Sequence, residues 1–71
     1  MVIVATVSKR IGKNIRKIRE EKRITQEELA GNAGLNRAYI GYIERGERNP
    51  STETLEKVAK ALRVQLSQLF K

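Results

Sequence analysis

The stretch Gln26-Glu27-Glu28-Leu29-Ala30-Gly31-Asn32-Ala33-Gly34-Leu35-Asn36-Arg37-Ala38-Tyr39-Ile40-Gly41-Tyr42-Ile43-Glu44 decides the fold. Thr25-Gln26-Glu27-Glu28 has the form of a capping box, in which Thr25 caps the Glu28 N–H and the Glu28 side chain reaches back. Leu29, Ala30 and Ala33 carry a helix to Gly34, which stops it by taking the left-handed conformation without steric cost. Asn36 caps a following helix. Ile40 and Ile43 point inward from it, and Gly46 ends it. Ala30 is small where the two helices cross closely, and Leu35, Ile40 and Ile43 anchor the later helix. Gly31 is the odd residue, costing about 1 kcal/mol relative to Ala in a helix interior.

Outward from this pair, Ser8 reads as the N-cap of a first helix ending around Lys22. Ile11, Ile15 and Ile18 form its apolar face. After the Glu47-Arg48-Asn49-Pro50 loop, Ser51 or Thr52 starts a fourth helix with Leu55, Val58, Ala59 and Leu62 as its buried stripe. Gln65 to Lys71 supports a short fifth helix, its joint with the fourth at Arg63 unmarked by glycine. The expectation is an all-α, compact five-helix bundle over residues 8–71, preceded by an extension over 1–7. Val2 to Val7 is rich in β-branched residues, and reads either as a frayed terminus or as a strand that pairs across a dimer. It is too short to span a bilayer and has no signal-peptide pattern, so a soluble cytoplasmic protein is expected.

The 71 residues contain no Cys, no His and no Asp. Such a chain has no thiol nucleophile, no imidazole base and no common transition-metal ligand. Enzymatic activity, a cofactor and a metal are therefore not expected, and a chain this small has no room for a large ligand cavity. Net charge is +7, which favours a polyanionic partner. Eight of the basic residues fall between Lys9 and Arg23, against only Glu20 and Glu21. A membrane-surface helix competes for such a basic amphipathic stretch, but Ile11, Ile15 and Ile18 are needed for the core.

The spacing from Gln26 to Glu44 is that of a DNA-binding helix-turn-helix. The chain resembles the phage repressor and Cro-type (XRE-like) regulators. The matching segments are Ile18 to Lys22, Thr25 to Ala30, Ala33-Gly34-Leu35, Ile43-Glu44-Arg45-Gly46, Asn49-Pro50-Ser51, and Leu55 to Leu62. Gly34 to Ile40 and Ile43 to Ser51 look most like restriction–modification controller proteins. The resemblance covers about residues 9 to 70. It implies a lambda-repressor-like bundle and a homodimeric transcriptional regulator on a pseudo-palindromic operator, with RNA polymerase as a further partner. Gly31, Arg63 and Ala38 depart from the pattern, standing where a helix former, a glycine and a hydroxyl are common.

About 100° per residue along the third helix turns Ala38, Gly41, Tyr42 and Arg45 outward, with Arg37 at the exposed amino-terminal flank. Arg37 can donate twice to a guanine edge, and Ala38 can touch a thymine methyl. Tyr42 can reach a base or a phosphate. Tyr39 reads as core or backbone support. The resemblance gives Gln26 a phosphate contact, and Asn36, Arg45, Arg48 and Asn49 are assigned the same. By resemblance Glu44 pairs with Arg19 in a structural ion pair. Leu66, Leu69 and Phe70, with Leu62, exceed what a small monomer needs to bury and are assigned to a two-fold interface. The competing function is an antitoxin or adaptor-type module whose main partner is another protein. RNA binding is weaker, because three aromatics offer no evident stacking platform.

Overall fold

The computed structural model describes the backbone from Val2 to Lys71 and the side chains from Thr6 onward. Four α-helices follow in order: α1 Val2–Glu21, α2 Gln26–Ala33, α3 Arg37–Glu44 and α4 Thr52–Leu62. The fifth element is a 3₁₀-helix, Leu66–Phe70, and not an α-helix. Five residues give too few i→i+4 bonds to repay helix nucleation, and the tighter turn serves instead.

The expected local signals lie where side chain and backbone meet. The Thr25 hydroxyl accepts from the Glu28 N–H at 3.0 Å, and the Thr25 N–H donates to Glu28 Oε1 at 2.9 Å. Gly34 sits at φ 69°, and the Leu35 N–H turns back to the Ala30 carbonyl at 2.8 Å. Asn36 Oδ1 accepts from the Ala38 N–H at 2.7 Å. Ser51 is the cap of α4, accepting from the Thr54 N–H at 3.1 Å.

The beginning of the chain differs from expectation. Ser8 does not cap α1, which runs unbroken from Val2, so Val2 to Val7 is helical and not a strand. Extending an existing helix avoids the nucleation penalty, and β-branched residues lower helix propensity only slightly. Ser8 lies buried inside the helix and donates from Oγ to Asn49 Oδ1 at 3.4 Å. Met1 lies outside the described residues.

The core gathers Ile11 and Ile15 from α1, Leu29 and Ala30 from α2, Ile40 and Ile43 from α3, and Leu55, Val58, Ala59 and Leu62 from α4. Leu69 completes it. Leu62 and Leu69 have no solvent exposure, so they offer nothing to a second copy and leave the expected two-fold interface. The reason is that the carboxy-terminal segment folds back onto α1. Asn14 Nδ2 donates to the Leu69 carbonyl at 2.9 Å, and Arg10 donates to the carbonyls of Phe70 (3.2 Å) and Lys71 (3.3 Å).

Arg63 caps α4 at φ 59°, ψ 43°, in the left-handed region. An L-residue there carries about 1–2 kcal/mol of strain. Glycine relieves it but adds about 0.5–1 kcal/mol of unfolded-chain entropy. Arg63→Gly is therefore expected to raise stability by about 0.5–1 kcal/mol in urea denaturation. A lower midpoint would show that the Arg63 side chain outweighs the strain.

Candidate nucleic-acid interface

Helix α3 is fixed from behind and open in front. Ile40, Ile43 and Glu44 are buried, and Tyr39 packs half-buried against the core. Arg37, Ala38, Tyr42 and Arg45 are exposed, along with Arg48 and Asn49 in the loop beyond. Gly41 differs from expectation, because it is buried although its direction is outward. The Arg45 side chain folds over it, so that a Cβ at Gly41 would stand 3.1 Å from Arg45 Nη1.

Two glycines let α1 approach this unit, and neither close approach is local in sequence. A Cβ on Gly12 would run into the carbonyl oxygens of Ile43 and Glu44. A Cβ on Gly46, which has φ +75°, would come within 2.8 Å of Lys9 Cα. The backbone of α1 thus seats the end of α3 directly, without a layer of side chains between them. Gly12 was not among the expected functional residues. Its signal is a glycine next to Ile11 in an otherwise regular amphipathic helix. Ser8 extends the same seat through its bond to Asn49.

An ion pair ties α3 to the rest. Arg19 donates from Nε to Glu44 Oε2 at 2.7 Å and from Nη2 to Oε1 at 3.1 Å. Arg19 Nη1 also donates to the Ile24 carbonyl at 2.8 Å, and Gln26 Nε2 to Glu44 Oε1 at 3.0 Å. The side chains are 11% and 3% exposed, so the pair is largely dry. The hydrogen bond to Glu44 raises the Arg19 pKa above that of an ordinary arginine, and the charges of Glu44 and Glu20 add to it. Burial opposes the shift and is outweighed, so Arg19 stays charged.

The amides around α3 each have one end occupied. Asn36 and Asn49 use Oδ1 inside the fold, which leaves the Nδ2 donors uncommitted among the described residues. Gln26 gives one Nε2 hydrogen to Glu44 and keeps the second. Arg45 and Arg48 each place Cζ 5.2 Å from the centroid of the Tyr42 ring, and Arg45 Nε also meets Glu47 Oε2 at 3.1 Å. The face therefore presents guanidinium and amide N–H groups around one exposed aromatic ring, a donor set that suits phosphate and base edges.

Beside the amino-terminal half of α1, Val7 and Phe70 are exposed apolar residues, at 42% and 43%. With Arg10 and Ile11 they line a cleft of about 210 Å³. Val7 was not expected here. It falls one helical turn before Ile11, on the same stripe. Leu66 is half-buried against the core. Among the described residues no group of His, Cys, Asp or Glu could hold a metal ion, and no helix is long and apolar enough to cross a membrane.

An α2–turn–α3 unit with its second helix locked at the back and cationic at the front defines a helix-turn-helix domain. The helix-turn-helix family (HTH_3) matches residues 15–69, and the chain belongs to this XRE-like family of transcriptional regulators. It is 48% identical over 60 residues to the control protein C.BamHI of Bacillus amyloliquefaciens, covering 83% of this chain and 74% of that one. It is also 48% identical over 59 residues to the immunity repressor of Bacillus phage phi105. That match takes in 83% of this chain but only 41% of the longer repressor. Among solved structures, the restriction–modification controller C.AhdI of Aeromonas hydrophila superposes with a TM-score of 0.87 at 40% identity, over 89% of this chain and 96% of that one.

Removing one partner of a buried pair leaves the other charged and unsolvated. Glu44→Ala is expected to lower stability by about 3–5 kcal/mol in urea denaturation. The double change Arg19→Met with Glu44→Leu should recover most of that loss. A Glu44→Ala protein within 1 kcal/mol of the parent (about a fivefold change in the unfolding equilibrium) would mean that α3 is held by its apolar contacts alone.

Proposed function

We propose that the protein is a sequence-specific regulator that binds double-stranded DNA as a homodimer on a pseudo-palindromic operator, in the manner of a restriction–modification controller. The observation that carries this reading is α3 itself, with Arg37, Ala38 and Tyr42 exposed along one face while Ile40, Ile43 and Glu44 hold the other. The lengthwise match to C.AhdI and C.BamHI supports the controller assignment.

In this reading α3 enters the major groove. Arg37 donates to a guanine edge, Ala38 lies against a thymine methyl, and Tyr42 stands at the rim of the groove. Gln26, Asn36, Arg45, Arg48 and Asn49 contact phosphates on either side, which position the protein without reading sequence. Phe70 and Leu66, joined by Val7, form the two-fold contact, replacing Leu62 and Leu69. Such a dimer sets two recognition helices about 34 Å apart, one turn of DNA. Occupying a promoter represses it, and binding beside one recruits RNA polymerase. The place of action is then the cytoplasm, with the DNA.

Selection of bound sites from a random duplex pool tests the reading directly, and a two-fold related sequence is expected. On the selected duplex, affinity should fall steeply with salt. Arg37→Ala should cost about 1–3 kcal/mol and relax preference at one base pair per half-site. Recovery of no preferred sequence would defeat the proposal. Phe70→Ala should weaken self-association by about tenfold or more in sedimentation equilibrium. An unchanged monomer–dimer midpoint would place the two-fold contact elsewhere.

A further inference from the structure

We infer that Tyr42 acts as a positioning residue, whose ring holds Arg45 and Arg48 ready for two DNA phosphates, and that it does not itself read a base. This rests on the DNA-binding reading above and narrows it. Both guanidinium carbons lie 5.2 Å from the ring centroid, within the range in which a cation is held by the negative face of an aromatic ring. A ring with two cations already over it has little face left for a nucleobase.

The two arginines are held differently. Arg45 has three supports: the Tyr42 ring, the Glu47 carboxylate at 3.1 Å from its Nε, and the bare backbone of Gly41 beneath its guanidinium. A side chain at Gly41 would meet Nη1 at 3.1 Å and Cζ at 3.8 Å, so the absence of one makes the seat. Arg48 comes from the loop, six residues after Tyr42, and among the described residues it has no hydrogen bond or ion pair, only the ring. Two like charges on one ring would repel each other, and Glu47 offsets one of them. The terminal N–H pairs of Arg45 and every donor of Arg48 keep no hydrogen-bond partner among the described residues.

The consequence is a division of labour on α3. A phosphate bound to a guanidinium that is already in place does not have to order a long side chain. Tyr42 therefore contributes to affinity for any duplex sequence, whereas a base reader contributes to preference among sequences.

The test measures dissociation constants by fluorescence anisotropy. The probes are a duplex selected from a random pool and a scrambled duplex of equal length. Tyr42→Phe keeps the ring and should bind both within about twofold of the parent. Tyr42→Ala should bind both about fivefold more weakly, with the ratio between them unchanged. In an Arg45→Gln, Arg48→Gln background, adding Tyr42→Ala should change nothing further. Independent losses in that background would overturn the proposal. So would a Tyr42→Phe loss equal to that of Tyr42→Ala with preference relaxed at one base pair. A readout without DNA separates this inference from the reading it rests on. Relaxation of the Arg45 and Arg48 Nε–H groups should report rigid side chains in the parent and in Tyr42→Phe, and mobile ones in Tyr42→Ala. Mobile arginines in the parent would sink the inference whatever DNA the protein binds.

Discussion

The carboxylate of Glu44, with its side chain 3% exposed, is met by two donors from Arg19 and one from Gln26. Desolvating such a group costs several kcal/mol, and Coulomb attraction alone does not reliably repay it. The charge-assisted bonds come from two directions, and their value lies in what they align. Arg19 stands near the end of α1, Ile24 in the following loop, Gln26 at the start of α2 and Glu44 at the end of α3. A rotation of α3 about its axis would carry Glu44 away from all of its partners and leave a charge stranded. Apolar packing at Ile40 and Ile43 tolerates small rotations far better. The polar network therefore fixes which side chains α3 turns outward.

Helix α1 carries both ends of the molecule on this framework. Its backbone at Gly12 touches α3, and its turn at Ser8 and Lys9 seats the loop of Arg48 and Asn49. Half a turn round, Asn14 and Arg10 bind the last carbonyls of the chain and press Leu69 into the core. The outward face of α3 and the exposed pair of Val7 and Phe70 thus hang from one rigid helix. In the proposed dimer, the spacing of the two recognition helices is set by α1 and not by a flexible joint.

What the sequence made legible was local. The capping box at Thr25, the stop at Gly34 and the cap at Asn36 are bonds between a side chain and backbone a few residues away, so they can be read without knowing what packs against them. The amphipathic stripes of α1 and α4 are legible for the same reason. Leu62 and Leu69 lie in the core and not at a surface, a difference periodicity does not reveal, because it says that a residue is apolar on a given face and not which chain covers it. That depended on Asn14 and Arg10 capturing a segment some 55 to 60 residues away. Val2 to Val7 was ambiguous because β-branched residues suit a strand, and continuity with the helix from Ser8 onward decided otherwise. Gly41 faces outward by rotation about the helix axis and is nonetheless buried, since that rotation does not show that Arg45 folds back over it. Gly12 needed a contact 31 residues ahead to explain it.

The donors that face outward from this framework fall into two kinds. Gln26, Asn36, Asn49 and Arg45 each have one part of the side chain bound within the fold. In the proposed complex they meet a phosphate with little ordering left to do, and every DNA sequence offers the same phosphates. Arg37 is the exception: it is exposed at the start of α3 and, among the described residues, it has no hydrogen bond or ion pair and, unlike Arg48, no ring against it. Ordering such a side chain on binding costs about 0.5–1.5 kcal/mol. That cost is recovered where a base presents two acceptors in the right plane, as guanine does. Over a wrong base it is not recovered, and the guanidinium has no internal partner to fall back on. In the proposed complex, the arginine without an internal partner discriminates because it is ordered only on a matching base, while the donors already bound in the fold supply affinity. A helix locked at Glu44 lets both act from one surface.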